Sequence, residues 1–461
     1  MRKEYDSMGE MEVPESALYG AQTARALINF PVSGIRFRRE FIQALGEIKR
    51  AAAVVNDRLT APQRQAITAA ADEVINGELD EHFVLDIFQT GSGTSTNMNA
   101  NEVIAHRAQQ IAPQVKIHPN DHVNMGQSSN DVIPTALHLS AAALLVRQLL
   151  PALEHLEQTL QGKAVEFAEV IKIGRTHLMD ATPITLGQEV SGWARQVALG
   201  IERLRAVLPR LCELAQGGTA VGTGLNSSAG FGAAMAAELS ARYGMEFVEA
   251  VNHFEAQAAQ DGAVELSGQL RTVAVSLMKI ANDVRLLNAG PRCGLGELKV
   301  PAVQPGSSIM PGKVNPVMAE SLAMVCAQVM GNDVTIGIAG GSGLLDLNVM
   351  LPLISHNLLE SEVLLANSCR LFADRCLVGM EADSSRCAEQ IEWSMAMVTT
   401  LAPVLGYDVA ARLAKQALQE QKSVRQLCEE LHVLSVDELD RLLDPVAMLA
   451  PDGEKVDRGW G

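Results

Sequence analysis

Aromatic side chains are scarce in this sequence: 3 Trp, 4 Tyr and 10 Phe amount to 4% of 461 residues, so the core must rest on Ala, Leu, Val, Ile and 18 Met. Positive charge is also in short supply. Against 54 Asp and Glu there are 37 Lys and Arg, a formal net charge of -17. Most of the surface then repels phosphate backbones and acidic headgroups, and no nucleic-acid partner is expected. Paired cysteines are missing as well. Cys212, Cys293, Cys326, Cys369, Cys376, Cys387 and Cys428 are odd in number, scattered, and never spaced C-x-x-C. That pattern excludes a disulfide framework and a zinc ribbon, and it predicts reduced thiols in the cytoplasm. The N-terminus opens in mixed charge without an apolar h-region, and the richest apolar run, near 136–146, is interrupted by His138 and Ser140. Neither a signal peptide nor a membrane span is expected.

Strand signals are few, and no complete G-x-G-x-x-G or Walker lysine motif occurs. What is present is helical. Apolar residues recur at 4-3 spacing in three stretches: Leu137, Ala141, Leu144, Leu149, Leu153, Leu156, Leu160; Leu186, Val190, Trp193, Val197, Ile201, Leu204, Leu208; and Leu266, Leu270, Val273, Leu277, Ile280, Val284, Leu287. Each is long enough for a rod of roughly 30 Å at about 1.5 Å per residue. Pro134 suits a first helical turn after the capping residues Asn130 and Asp131, and Pro151 should kink the first rod. Long helices with small residues on several faces and few aromatics predict packing between chains. The expected fold is mainly α, a long-helix bundle with smaller terminal domains. We divide the chain into an N-terminal domain (1–127), a central bundle (128–381) and a small C-terminal helical domain (382–461), where Gly406-Tyr407 marks a break and Ser435-x-x-Glu438 a capping box.

Four polar segments lie between the rods: Gly91-Ser92-Gly93-Thr94-Ser95-Thr96-Asn97; His118 to Asp131; Gly174 to Asp180; and Gly306-Ser307-Ser308-Ile309-Met310-Pro311-Gly312-Lys313-Val314-Asn315-Pro316. Singly, such Ser, Thr and Asn clusters cap helices and form turns. Converging, their neutral donors and one buried lysine would surround a small dianion and share charge-assisted hydrogen bonds among two carboxylates. His177 is an acid/base candidate if a carboxylate orients it, and Glu320, just past the lysine loop, is available. His118 and His122 are followed by no third ligand at a typical spacing, so no metal site is expected.

The fourth segment closely resembles the signature of the fumarase/aspartase superfamily. The other three resemble its remaining motifs in the same order, and the similarity runs from Gly20-Ala21-Gln22-Thr23 to the C-terminal region. Within the superfamily the chain is similar to the class II fumarate hydratases. The resemblance implies a homotetramer on a central helical bundle, with each active site assembled from three chains, acting on fumarate and L-malate without a cofactor. It implies Ser307 as the catalytic base and His177 as the acid/base histidine, with Glu320 as its carboxylate partner. Ser92, Gly93, Thr94, Ser128, Ser129, Asn130, Thr176, Ser308, Lys313, Val314 and Asn315 match substrate binders. His118, Pro119, Asn120 and Asp121 match a second, peripheral dicarboxylate site. The nearest alternative is an aspartate ammonia-lyase, or a hydratase or lyase for a related C4 dicarboxylate. In that ammonia-lyase, Gln typically stands at the position of His177 and Ala at that of Gly312, so both residues here favour hydration. Met125, Gly126, Ser95-Thr96 and Asp346 depart from the commonest fumarase pattern without removing a proposed catalytic group.

Overall fold

A computed structural model of the chain describes residues 1–451. The chain opens with a hairpin of β1 (Arg2–Asp6) and β2 (Gly9–Val13), followed by helices α1 (Ala21–Asn29), α2 (Arg39–Val55), α3 (Ala61–Asn76), α4 (Thr94–Ile111), α5 (Ser129–Leu144) and α6 (Leu150–Glu166). A second hairpin, β3 (Ile171–Thr176) and β4 (Met179–Thr185), leads into α7 (Leu186–Leu211). Then come β5 (Glu213–Leu214), α8 (Phe231–Tyr243), β6 (Val248–Glu249), α9 (His253–Ala258), α10 (Asp261–Leu287), β7 (Leu298–Lys299), α11 (Val317–Gly340) and α12 (Leu351–Phe372). After β8 (Glu381–Ala382) the helices are short: α13 (Ser384–Trp393), α14 (Ala402–Leu405), α15 (Tyr407–Glu420), α16 (Val424–Glu430) and α17 (Val436–Leu442). The strands form four two-stranded sheets, so the fold is mainly helical, as the scarcity of strand signals predicts.

The rods bury the residues their periodicity selects. Leu137, Ala141, Leu149, Leu153, Leu156 and Leu160 are fully buried, as are Leu266, Leu270, Ile280 and Val284. On α7 the stripe runs from Leu186 to Leu204 and then passes to Val207, leaving Leu208 partly exposed. Pro134 is not in a first turn; it is the sixth residue of α5, inside the helix. Ahead of Pro151 the first rod widens into a π-helical turn at Leu145–Leu149 instead of stopping, and the helix continues to Glu166. The missing N–H of proline disturbs hydrogen bonding in the turn that precedes it, which is where the irregularity falls.

Two helices are long and apolar enough to cross a membrane by length and composition alone. In Ser129–Glu166 the apolar window is 67% buried within the fold, as in a core helix. In Val317–Gly340 it is 33% buried, because apolar residues surround the helix and Met324, Val334 and Ile338 face outward in the single chain. With no apolar stripe, α11 shows no helical period, and this is why the sequence pattern does not reveal it.

Two compact units divide the chain. The first comprises Met1–Pro151, Gly200–Ala274 and Val325–Ala366; the second comprises Ala152–Leu199, Val275–Met324 and the chain from Asn367 on. In the first unit, α2 packs on α3, α5 and α8 through Phe41, Leu45, Ile48 and Ala52. Glu102 of α4 caps α1, its carboxylate accepting the N–H groups of Gly20, Gln22 and Thr23 and the Thr23 hydroxyl. In the second unit the short C-terminal helices surround a core of Ile391, Met397, Leu401, Leu413, Leu427 and Leu439, and Ile173 of β3 completes it. The Ser435/Glu438 capping box forms, and Gly406, with φ 85°, separates α14 from α15.

Candidate active site

In the first unit the chain brings two of the polar segments together at helix N-termini. Gly93 precedes α4 in a left-handed conformation, φ 72°, and a Cβ there would lie 2.8 Å from Ile133 of α5, so only glycine allows the approach. Gly91 sits against the Val349 carbonyl, and its own carbonyl accepts the N–H of Leu351 at 3.0 Å. Between them Ser92 is buried, with its hydroxyl 2.8 Å from that of Thr94. Ser128 caps α5 in a reciprocal box with Asp131: the Ser128 N–H donates to Asp131 Oδ1 at 2.9 Å, and Ser128 Oγ accepts from Asn130 at 3.2 Å. Asn97 of α4 donates to Ser129 Oγ at 3.0 Å, joining the segments directly. Asn130 donates to the Ala220 carbonyl at 2.8 Å. Ser92, Gly93, Thr94, Ser128, Ser129 and Asn130 therefore lie at or beside the starts of α4 and α5, where free N–H groups and the helix dipole favour an anion.

Two charged groups lie beneath this surface: Asp131, which the sequence marks only as a capping residue, and Lys49, which no motif marks. Asp131 is fully buried and accepts the N–H groups of Gly217 and Thr219 at 3.1 and 2.9 Å and the Gln216 amide at 3.2 Å. Burial pushes its carboxyl up to about 6 against the pull of those donors and of Lys49. Lys49 is likewise buried, and desolvation lowers its ammonium to about 7 while Asp131 opposes the shift. A signal for each exists: Ser-x-x-Asp is a capping box, and Lys49 falls four residues after Leu45 on the apolar face of α2.

The second unit holds the remaining candidates. His177 and Leu178 form the two-residue turn between β3 and β4, both with positive φ, 57° and 63°. Such a turn matches the twist of a hairpin but costs energy without Asn or Gly, and here it presents an exposed imidazole at the tip. Thr176, just before it, is exposed too. In the Ser307 loop, the Gly306 N–H donates to the Lys313 carbonyl at 2.8 Å, and Asn315 Nδ2 donates to the Gly306 carbonyl at 2.7 Å. This closes a ring of backbone around Ser307, whose Oγ accepts the N–H groups of Ile309 and Met310 at 3.2 and 2.9 Å. Gly312 turns the loop with φ 82°. Ser308, Lys313 and Val314 project outward; Lys313 is exposed in the single chain, not buried as expected. Among the described residues the side chains of His177 and Glu320 make no hydrogen bond or ion pair, so one chain by itself does not form the pair expected between them.

At the expected peripheral site, Pro119–Val123 is a single π-helical turn. His118 Nδ1 accepts the N–H groups of Asn120 and Asp121 at 3.3 and 3.2 Å, and His122 Nδ1 accepts the His118 N–H at 2.8 Å. His118 Nδ1 also lies 3.4 Å from the Asp121 carboxylate. An anion would have to displace the imidazole to reach those amides. Among the described residues no three His, Cys, Asp or Glu side chains are grouped to hold a metal ion.

A family model described as Lyase matches residues 9–331, and one described as Fumarase C C-terminus matches residues 397–450. The fumarate hydratase class II of Corynebacterium glutamicum is 52% identical over 462 residues, 98% of this chain and 97% of that protein. That of Thermosynechococcus vestitus is 52% identical over 460 residues, 98% of each chain. Among solved structures, class II fumarase from Schistosoma mansoni superposes with a TM-score of 0.95 at 43% identity, covering 98% of this chain and 99% of that one. A 3-carboxy-cis,cis-muconate lactonizing enzyme from Pseudomonas putida, at 24% identity, TM-score 0.73 and coverage of 89% and 91%, shares the fold alone. With whole-length relatives at this identity and two family models in register, the chain belongs to the class II fumarate hydratases, a family of hydro-lyases.

Proposed function

We propose that the enzyme interconverts fumarate and L-malate as a homotetramer whose active sites each draw on three chains. The observation that carries this reading is the division of the machinery within one chain. The hydroxyl-lined starts of α4 and α5 offer anion donors, whereas the His177 imidazole is exposed without a partner among the described residues and the Ser307 loop lies at the surface with Lys313 outward. The outward Met324, Val334 and Ile338 of α11, 68%, 62% and 67% exposed, supply an apolar face for packing against further chains. The His177–Glu320 pair would then form between chains, with Lys313 buried by the same assembly.

In the dehydration direction, Ser307 Oγ removes a proton from the malate methylene carbon, and the electron pair moves into the adjacent carboxylate as an aci-form. Lys313, Asn315 and backbone donors meet the growing negative charge. His177, held by Glu320, gives a proton to the departing hydroxyl, which leaves as water as the double bond forms. Hydration runs these transfers in reverse. Ser92, Gly93, Thr94, Ser128, Ser129, Asn130, Thr176, Ser308 and Val314 bind the two carboxylates. A serine base requires its acidity raised by about five units, or ~7 kcal/mol at ~1.36 kcal/mol per unit. Two N–H donors to an oxyanion supply about 1.5–3 kcal/mol each, leaving the balance to Lys313 in a closed, dry site.

The seven thiols, none in a disulfide, suit a reducing compartment, and we place the enzyme in the cytoplasm. The test is to incubate the purified protein separately with L-malate and with L-aspartate and follow the ultraviolet absorbance of the conjugated diacid. A signal from malate is expected. A signal from aspartate alone would identify an ammonia-lyase and overturn the reading.

A further inference from the structure

The hairpin that carries His177 and the segment that leads into the Ser307 loop meet at a buried cluster of charges. Glu297, which has no exposed surface, stands immediately before β7. Its Oε1 accepts Arg175 Nη1 at 2.8 Å, and its Oε2 lies 3.2 Å from Lys172 Nζ. Lys172, 1% exposed, also lies 3.0 Å from Glu189 Oε2 at the start of α7 and donates to the Ile173 carbonyl at 3.1 Å. Arg175 reaches on to Gln390 Oε1 of α13 at 2.5 Å. The backbone of Glu297 is fixed as well: its N–H donates to the Leu287 carbonyl and its carbonyl accepts the N–H of Asp383, both at 2.9 Å.

Strand geometry makes this convergence specific. Residues three apart in a regular strand point to opposite faces, so Lys172 and Arg175 should not share a partner. Pairing is irregular at this point: between the Ile173–Pro183 and Arg175–Asp180 pairs a single β3 residue, Gly174, stands opposite two residues of β4, Ala181 and Thr182, and Arg175 reaches the same carboxylate as Lys172. Gly174 faces the bulged residues of β4, and a Cβ on it would lie 2.8 Å from the Thr182 carbonyl. Arg175 is two residues before His177, and only β7 and a loop separate Glu297 from Ser307. A buried ion cluster is a costly means of gaining stability, since apolar residues of similar volume serve as well. Its distinct property is geometric, because the planar guanidinium fork of Arg175 spans Glu297 through Nη1 and Gln390 through Nη2 and so sets direction as well as distance.

We infer that Glu297 is a positioning residue that, through Arg175 and Lys172, fixes the His177 hairpin and the root of the Ser307 loop as one rigid piece. The inference rests on the roles proposed above for His177 and Ser307. Glu297→Gln keeps the shape and removes the charge. Turnover of L-malate by the intact oligomer is expected to fall about 10- to 100-fold, the cost of misplacing groups by about an ångström, with KM changed far less. The limb of the kcat/KM pH profile that reports the histidine is expected to move. Arg175→Lys, which keeps the charge and loses the fork, is expected to show a smaller form of both effects. Amide hydrogen exchange is followed in the same proteins without substrate, and faster exchange is expected in 176–179 and 300–316 together. Parent-like kinetics and pH profile with only a lowered melting temperature, or faster exchange confined to one segment, would overturn the inference. If the parent protein does not turn over malate, the proposed function fails, and the exchange measurement still decides the role of Glu297.

Discussion

Lys49 Nζ, buried in the first unit, donates to Asn124 Oδ1 at 2.9 Å. That same oxygen accepts from Asn97, whose amide also holds Ser129 Oγ, so a buried cation stands three hydrogen bonds behind Ser129 of the proposed carboxylate-binding surface. Lys49 also donates to Gln127 Oε1 at 3.0 Å. Lys49→Met keeps the volume, leaves Gln127 Oε1 without its donor and Asn124 Oδ1 with Asn97 alone, a loss of about 1–3 kcal/mol. Steady-state kinetics should show KM for fumarate raised about tenfold or more, with kcat reduced less, because the loop binds substrate and does not transfer protons. An unchanged KM would separate Lys49 from the binding surface.

Ser307 accepts two backbone N–H groups that favour the charged oxygen. Ser307→Ala is expected to leave the oligomer folded, by circular dichroism and gel filtration, and to lower turnover by about three orders of magnitude or more. Near-normal turnover would remove serine from the role of base.

Glu362 of α12 is fully buried, neither carboxylate oxygen has a hydrogen-bond partner among the described residues, and burial followed by the nearby Glu40 raises its pKa well above the ordinary value. The folded chain therefore keeps a proton that the unfolded chain releases. Stability from this group is complete below the ordinary value of 4.5 and declines as pH rises above it toward the raised folded value, by up to about 1.4 kcal/mol per pH unit. Glu362→Gln removes the titration. Melting curves from pH 5 to 8 should fall less steeply for the variant than for the parent, and parallel curves would contradict this.

Val334 and Ile338 lie one helical turn apart on the exposed side of α11. Changing both to Asp should yield smaller particles in analytical ultracentrifugation and abolish turnover with them. A variant that stayed tetrameric and active would show that this face is not an interface.

Much of this architecture was legible in the sequence, and its failures share a cause. Stripes such as Leu266 to Leu287 were readable because one face of a helix packs inside a single chain. The Ser435/Glu438 box was readable because capping is local. Helix α11 escaped notice because a helix apolar all round has no period. Lys313 was expected to be buried and His177 to be paired with Glu320, and neither holds within one chain. Lys172, Arg175 and Glu297 meet beside an irregular pairing of β3 with β4 and across a separation of 122 residues between Arg175 and Glu297, which no local pattern records.

The central claim, that one site needs side chains from different chains, is tested most directly by mixing two inactive variants. Ser307→Ala and His177→Asn chains are co-expressed with different tags, and tetramers carrying both tags are isolated and assayed with fumarate. If the base and the histidine come from different chains, random mixing restores both groups to roughly a quarter of the sites, with matching activity. Mixed tetramers as inactive as either parent variant would show that the base and the histidine of a site come from one chain, and would contradict the account.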